Sequence, residues 1–467
     1  MSLASKTVSA RLPDIVGATH VIGEPAQLAY YEIDGKTPGA AVRPGSREEV
    51  AEVVKFAAAE NLAVIASGAR TKLGIGLPPA RYDIAIDMAR LDRVIAYDPA
   101  DLTLAVEAGH SLSKVIGLLG DHRQFLPLFV PYFNRATIGG TIASGVDSPL
   151  RQYYGTARDY VLGVEYVTHE GVLAKSGGRV VKNVSGYDLH KLMIGSLGTL
   201  GVIVSVNFKT FPSPVETRGF VAMFDSAEKA VEMRHRAAKS PLTPLTMELL
   251  SPRVADLFAS EAAARICSGA MPPDALSPKH WAFTSGYGGN GKVLARYETD
   301  FRKMAEEAGA VRAAVLDANT RPPAFSRKRE FIPIALSASF SPATTIAKIS
   351  VQPGNLIEVL KAAQETAESY SLDWAALVRG VGVIYLALLP GDKDEQWRAR
   401  VMNTTNEIFA ACERVGGNAM IPWARSGWKN TLKLWGPERG DFAQMQKLKK
   451  VFDPRGIFAP GRFVGGL

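Results

Sequence analysis

Three glycine-rich stretches, "SGARTKLG", "ATIGGTIASG" and "GSLGTLGVI", begin before residue 205 and interrupt short β-patterned runs. Glycine permits positive φ and lets backbone approach a ligand closely. Successive backbone N–H groups in such turns form concave anion sites that need no helix dipole. Singly, each stretch is also what an ordinary β-turn uses. Three of them, set between short strands, could wrap one long diphosphate ligand.

The chain has 467 residues, which predicts two or three domains. Ser46-Arg47-Glu48-Glu49 is a capping box opening a helix with Val50, Val53, Val54 and Ala57 on one face. "YDIAIDM" and "TLAVEAG" read as strands, and Ser111 can cap a helix with Leu112, Val115, Ile116 and Leu119 inward. Val202, Val204, Val206 and Phe208 alternate with Ile203, Ser205, Asn207 and Lys209, giving a strand that stops before Pro212 and Pro214. Those prolines mark a boundary, beyond which strands alternate with longer amphipathic helices. The expected organisation is α+β. It comprises a nucleotide-binding domain over residues 1–215 (core 38–215), a cap with an antiparallel sheet over 216–425, and a C-terminal segment, 426–467, that packs back on the first domain.

Composition narrows the function classes. Only Cys267 and Cys412 occur, which excludes a Cys-x-x-Cys motif and the ligands of an iron–sulfur cluster. The net charge of +8 is spread along the chain, apart from Arg327-Lys328-Arg329 and residues 447–450. A nucleic-acid binder would want a concentrated basic face with interleaved aromatics; the mild excess suits anionic small ligands. No apolar run reaches the length of a membrane span, and the N-terminus lacks the apolar stretch of a signal peptide, so a cytoplasmic protein is expected.

A fourth glycine pattern competes for the nucleotide. "TSGYGGNGKV" holds Gly286, Gly288 and Gly291 in G-x-G-x-x-G spacing after a short apolar run, with Asp317 later. That is the outline of a dinucleotide-binding βαβ unit. Its strand is short and polar, and Lys292 follows the third glycine directly. A tight polar turn is the favoured expectation, and the motif a decoy.

The longer blocks carry a specific resemblance. "VRPGSREEVAEVVKFAAAENLAVIASGARTKLGIG", "ATIGGTIASG", "LRQYYGTARDYVLGV", "GGRVVKNVSGYDLHKLMIGSLGTLGVI" and the closing "FDPRGIFAPGRF" resemble FAD-binding oxidoreductases of the vanillyl-alcohol oxidase/p-cresol methylhydroxylase (PCMH) type, most closely the E-type subunits of glycolate oxidase. The resemblance implies a PCMH-type two-subdomain FAD-binding domain beneath the cap. It makes Ser67, Gly68, Ala69, Arg70, Thr71 and Lys72 the pyrophosphate loop. Thr137, Ile138, Gly139, Gly140, Thr141 and Ser144 would line the cofactor, Gly155 and Asp159 would support it, and Gly201, Val202 and Ile203 would close over it. Asn183 is a further candidate, beside its alternative role of holding a turn.

Two departures from the family matter. Many relatives carry a flavin-linked histidine in the first loop; here Arg70 and Lys72 stand there, so the FAD is expected to be non-covalent. Metal-using relatives carry His-x-Gly-x-Gly-x-x-His in the cap; here the strand is "RGVGVIY", with Arg379 and Tyr385, so no metal is expected.

Oxidising a 2-hydroxy acid needs a cation for the carboxylate and a base for the hydroxyl proton. "FSRKRE" and "AKISVQP" are similar to strands and helices that supply such cations in relatives, which makes Arg329 and Lys348 candidates, with Arg379 third. Arg327 and Lys328 are as readily solvated cap cations. The base is not legible: Tyr187 and Tyr385 are candidates, and His110 and His190 suit structural roles equally. Two functions follow. One is an FAD-dependent dehydrogenase for a small 2-hydroxy acid such as glycolate or D-lactate. The other is an FAD-bearing electron-transfer or assembly subunit, not catalytic alone. An iron–sulfur subunit is the expected electron acceptor, with a second flavoprotein subunit in the complex case, and peripheral membrane association would come through such partners.

Overall fold

A computed structural model describes residues 11–179, 186–267, 276–316, 321–337 and 341–467. Asn183 and Asp317 lie outside the described residues.

The first domain is built on two sheets. Strands β1 (Val21–Ile22), β2 (Ala40–Val42), β3 (Val64–Ser67) and β4 (Ile84–Asp87) run in the order β1-β2-β4-β3, with β2, β4 and β3 parallel. Parallel strands need crossover connections, and α1 (Arg47–Ala59), which joins β2 to β3 on either side of β4, supplies one and buries Val50, Val53, Val54 and Ala57. Ser46 Oγ accepts from Glu49 N at 3.1 Å, as the capping sequence requires. The second sheet is antiparallel, in the order β5-β6-β9-β7-β8: β5 (Val94–Asp98), β6 (Thr103–Glu107), β7 (Val161–Val167), β8 (Leu173–Gly177) and β9 (Val202–Lys209). Ile203 and Ser205 on β9 are buried like Val204 and Val206, so this central strand is covered on both faces rather than one. Ser111 does not cap the helix Leu112–Asp121; its hydroxyl meets that of Ser113 instead. The short helix α2 (Ile138–Ser144) packs against β6 and β9 of this sheet.

The cap is one eight-stranded sheet with strand order β13-β10-β12-β11-β15-β16-β14-β17. Its strands are β10 (Glu216–Phe224), β11 (Thr246–Leu250), β12 (Trp281–Gly289), β13 (Arg312–Leu316), β14 (Thr345–Ser350), β15 (Asp373–Arg379), β16 (Val383–Leu389) and β17 (Asn418–Trp423), each antiparallel to its neighbours. Helices Ala227–Lys239, Gly291–Glu307, Leu356–Ser369 and Glu395–Arg414 cover one face through a large apolar core. The other face, with Leu250, Leu377, Tyr385 and Trp423, meets Ile75, Val146 and Leu197 of the first domain, together with helix Phe331–Ala335; the helix before it, α3 (Arg321–Arg329), brings Lys328 to Glu248 of the sheet.

The G-x-G-x-x-G stretch is therefore not a tight turn. Gly286 and Gly288 sit inside β12, in the middle of an antiparallel sheet, and Asn290 caps the following helix by accepting from Val293 N at 3.1 Å. A dinucleotide βαβ unit needs a parallel sheet, so the motif is a decoy for a reason other than the expected one.

After helix Phe442–Phe452 the C-terminal segment returns to the first domain, where Val64 N donates to Ile457 O at 2.7 Å and Ala459 N to Val64 O at 3.0 Å. Among the described residues no helix is long and apolar enough to cross a membrane.

Candidate active site

The three glycine-rich stretches converge in space. The loop 67–72 leaves the carboxyl end of β3 and lies against the start of α2: a Cβ on Gly68 would stand 2.1 Å from Thr137 Oγ1. The chain at Gly139 passes so close to β6 that a Cβ would meet Ala108 Cβ at 2.7 Å, while Gly139 N donates to Ala108 O at 2.7 Å. The third stretch binds the second: Gly195 N donates to Ile142 O at 2.9 Å and Leu197 N to Ala143 O at 2.8 Å. Arg70 and Leu197 both hold positive φ, 56° and 53°, in these turns. Strained backbone of this kind concentrates at ligand sites.

A groove opens where they meet. Ser67, Gly68, Ala69, Arg70, Thr71, Lys72, Thr137, Gly139, Gly140, Ser144, Gly201, Val202 and Ile203 line it, as does Arg462 from the C-terminal tail. Ile138 lies behind the wall, fully buried, and Thr141 faces the adjoining cavity. Gly155 and Asp159 are outside the groove. The Asp159 carboxylate accepts from Thr156 N at 2.7 Å and caps a short helix, and Gly155 holds φ +77° beside it.

The polar groups of the groove suit a diphosphate. Lys72 is 7% exposed, and the only hydrogen bond of its ammonium among the described residues is to the Thr71 hydroxyl, at 3.3 Å. Burial pulls its pKa down to about 8, against the opposing pull of Glu330. Arg462 donates through Nη2 to Leu73 O and Ile75 O at 2.5 Å each, yet Nη1 has no partner among the described residues, and burial lowers its pKa to about 10. Ser67 Oγ is also buried, with no partner among the described residues. Unpaired buried donors and cations are costly, and an anionic nucleotide would satisfy them together. Arg462 had a sequence signal in "PGRF", but nothing local ties that tail to the β3 loop.

Beside the groove a polar rib crosses the cap sheet. Cross-strand register sets Thr284, Glu248 and Arg379 side by side on β12, β11 and β15, and Tyr385, Lys348 and Met420 on β16, β14 and β17. Glu248 takes an ion pair from Arg379 and another from Lys328 on α3, whose ammonium also donates to Thr284 Oγ1 at 3.2 Å. Tyr385 donates to Asp147, which follows α2, and Arg151 pairs with the same carboxylate at 3.2 Å. Burial opposes the charge on Asp147, but Lys348, Arg379, the Tyr385 hydroxyl and Arg151 together hold its pKa below the usual range. Burial also opposes the charge on Glu248, and Lys328 and Arg379 outweigh it. Tyr385 is pushed well above 10 by burial and by Asp147, so it is a neutral hydroxyl.

The candidate cations thus fall in three places. Arg379 is locked on Glu248. Lys348 is half-buried in a cavity of about 290 Å³ with Asp147, Arg151 and Tyr385, and no ion pair to it occurs among the described residues. Arg329 donates to Glu330 at 2.9 Å and stacks 4.2 Å over Phe133. Arg327 and Lys328 are not solvated: they are 2% and 6% exposed. Tyr187 is 89% exposed and joins none of these groups. His190 is buried on Ser176, whose hydroxyl accepts from His190 N at 2.9 Å, which makes it structural. Glu248 and Asp147 gave no sequence signal beyond a lone acid in an apolar run.

Comparison with known proteins places this architecture. Residues 38–177 match the FAD binding domain model, and residues 213–420 and 431–463 match the C-terminal domain of FAD linked oxidases. The chain belongs to the FAD-linked oxidases. A D-2-hydroxyglutarate dehydrogenase of Xanthomonas citri pv. viticola is 26% identical over 97% of this chain and 95% of its own. The glycolate oxidase subunit GlcE of Escherichia coli is 34% identical, but over 35% of this chain and 46% of its own, so the GlcE likeness is partial. The solved structure of p-cresol methylhydroxylase with substrate bound shares the fold, with TM-score 0.75 at 16% identity, covering 99% of this chain and 97% of that one. This FAD-linked oxidase is an FAD-dependent oxidoreductase with the PCMH-type α+β fold, and the unpaired groups of its groove fit FAD.

Proposed function

We propose that this FAD-linked oxidase dehydrogenates a 2-hydroxy acid, and that the observation carrying the reading is the surplus of positive charge in the rib. Among the described residues, Lys328, Arg379, Lys348 and Arg151 stand against two carboxylates, Glu248 and Asp147. A substrate carboxylate restores the balance, and charge-assisted hydrogen bonds are the strong ones. The D-2-hydroxyglutarate dehydrogenase likeness over the whole chain supports the same class. Ser67, the 67–72 loop amides, Lys72 and Arg462 would hold FAD, without a covalent bond, since Arg70 replaces the histidine of the first loop.

FAD, when bound, supplies the acceptor for the hydride from the hydroxyl-bearing carbon. The chain orients the acid and takes the proton. Lys348 receives the carboxylate. The Tyr385 oxygen accepts the substrate hydroxyl proton while its own proton passes to Asp147. At rest Asp147 is a weak base because the cations around it favour its charge. A carboxylate arriving at Lys348 neutralises one of those cations and raises the basicity of Asp147 only in the complex. The product is the 2-oxo acid, and an iron–sulfur partner would collect the electrons, since the chain lacks cluster ligands of its own.

Anaerobic bleaching of the flavin by a panel of 2-hydroxy acids tests the proposal, and an absence of bleaching by every member would sink it. The partial GlcE likeness favours a second reading, an FAD-bearing subunit that is inactive alone. That reading expects bleaching only after reconstitution with a partner flavoprotein.

A further inference from the structure

The cavity of about 290 Å³ that holds Lys348 adjoins two other spaces. It shares Ser144 and Leu197 with the glycine-lined groove. It shares Lys348, Met420, Trp435 and Phe463 with an outer cavity of about 670 Å³. The outer cavity lies at the edge of the cap sheet, where Met420 on β17 is the direct register partner of Lys348 on β14. The junction of the two cavities therefore has a sheet side, Lys348 and Met420, and a side from the C-terminal segment, Trp435 and Phe463.

The backbone on either side of Trp435 is tied to β17. Ile421 N donates to Leu434 O at 2.6 Å. Gly436, with φ +71°, passes so close that a Cβ there would stand 2.5 Å from Ala419 O. The indole packs edge-on against Phe463, with ring centroids 5.0 Å apart. Phe463 directly follows Arg462, so neighbouring residues of the tail line the junction and the groove. Trp435 Nε1 is buried and has no hydrogen-bond partner among the described residues. A buried indole N–H usually finds a partner, and an unpaired buried donor is costly. Indole nitrogen donates and never accepts, so the group that fits it is an acceptor. Lys348, the other polar side chain of the junction, is likewise a donor only. A cation and an N–H at one junction complement the two oxygens of a carboxylate.

We propose that Trp435 is a substrate-binding residue: the acid sits at the junction with one carboxylate oxygen on the Lys348 ammonium and the other on the Trp435 indole N–H. The assignment rests on the hydroxy-acid reading for the identity of the acid, but the carboxylate site can be tested without turnover. 2-Hydroxy-2-methylpropionate is a suitable probe, because its hydroxyl-bearing carbon has no hydrogen to give up. Calorimetry with the FAD-loaded protein should show it binding to Trp435→Phe about tenfold more weakly than to the wild type. That variant keeps a ring against Phe463 and deletes the N–H. Phe463→Leu, which loosens the ring pair but keeps the N–H, should bind the probe as the wild type does. FAD content and Tm should be retained in both variants. In turnover, Trp435→Phe should raise KM and leave kcat unchanged, since the carboxylate is held alike in the ground and transition states. Unchanged affinity in Trp435→Phe, an equal loss in Phe463→Leu, or no binding of the probe by the wild type overturns the assignment. A kcat that falls at constant KM overturns it as well. Tenfold weaker probe binding in Trp435→Phe, with no bleaching of the wild type by any 2-hydroxy acid, overturns the hydroxy-acid reading and leaves the carboxylate site intact. Bleaching by 2-hydroxy acids with an unchanged KM in Trp435→Phe does the reverse.

Discussion

Lys72 shows how a single buried charge prepares a site for its ligand. Its folded pKa of about 8 lies below the ordinary 10.5, so the FAD-free protein tolerates the neutral amine better than the charged one. The unfolded chain keeps that proton to higher pH, and the FAD-free protein therefore gains stability as pH rises from about 8 toward 10.5. An anionic cofactor favours the protonated form, which gives the opposite trend in binding. FAD affinity measured by fluorescence quenching should weaken as pH rises above about 8, by up to about tenfold per pH unit, and Lys72→Met should flatten the profile. Lys348 has a different task. Lys348→Met should raise the KM for the acid at unchanged FAD content, because a lost charge-assisted bond costs about 1.5–3 kcal/mol. Steady-state kinetics that match the wild type for both Lys348→Met and Arg329→Met would move the carboxylate site elsewhere.

At the scale of elements, the glycine-rich turns differ from the glycine-rich strand. In the turns, glycine is needed because a Cβ would stand only 2–3 Å from neighbouring atoms, as at Gly68 beside Thr137 and Gly139 beside Ala108. Gly140 is different: a Cβ there would meet only Thr137 Oγ1, at 3.1 Å, with the groove beyond. Gly140→Val should therefore fold and purify colourless, its side chain occupying the cofactor's volume. Gly288 is not on the solvent side; a Cβ there would stand 2.7 Å from Pro214 Cβ at the junction of the domains. Gly288→Val should keep its flavin and lose about 1–3 kcal/mol to overpacking. Flavin absorbance per mole of chain and denaturant midpoints distinguish the two variants, and the reverse pattern would return the nucleotide to the cap.

For the whole molecule, the glycine-lined groove belongs to one domain and Lys328, Lys348 and Arg379 to the other, and Tyr385–Asp147 bridges them across 238 positions of sequence. With Arg70 in place of a flavin-linked histidine, acid precipitation should leave the yellow chromophore in the supernatant; colour that stays in the washed pellet contradicts a non-covalent FAD. Reduced protein should also react slowly with oxygen and quickly with an iron–sulfur partner, and rapid stoichiometric peroxide formation by the isolated chain would identify a self-sufficient oxidase.

Family, cofactor and the α+β class with its antiparallel cap could be read from the sequence because each depends on local requirements. Turns that pass close to a ligand need glycine in adjacent positions, helices need their caps, and alternating runs need a covered face, all within a few residues of chain. The Glu248–Arg379 pair spans 131 positions, and Arg462 reaches Leu73 across 389. Nothing nearby in sequence marks such partners, since register in an eight-stranded sheet follows from the packing of whole strands. Gly286 shows the same division. Its spacing reads as a nucleotide motif, but the antiparallel sheet around it makes it an interior position of a strand. Local chemistry in the chain specified which ligand the protein binds. The long-range pairing of strands alone decided which charges meet, because those charges become neighbours only when the sheet closes.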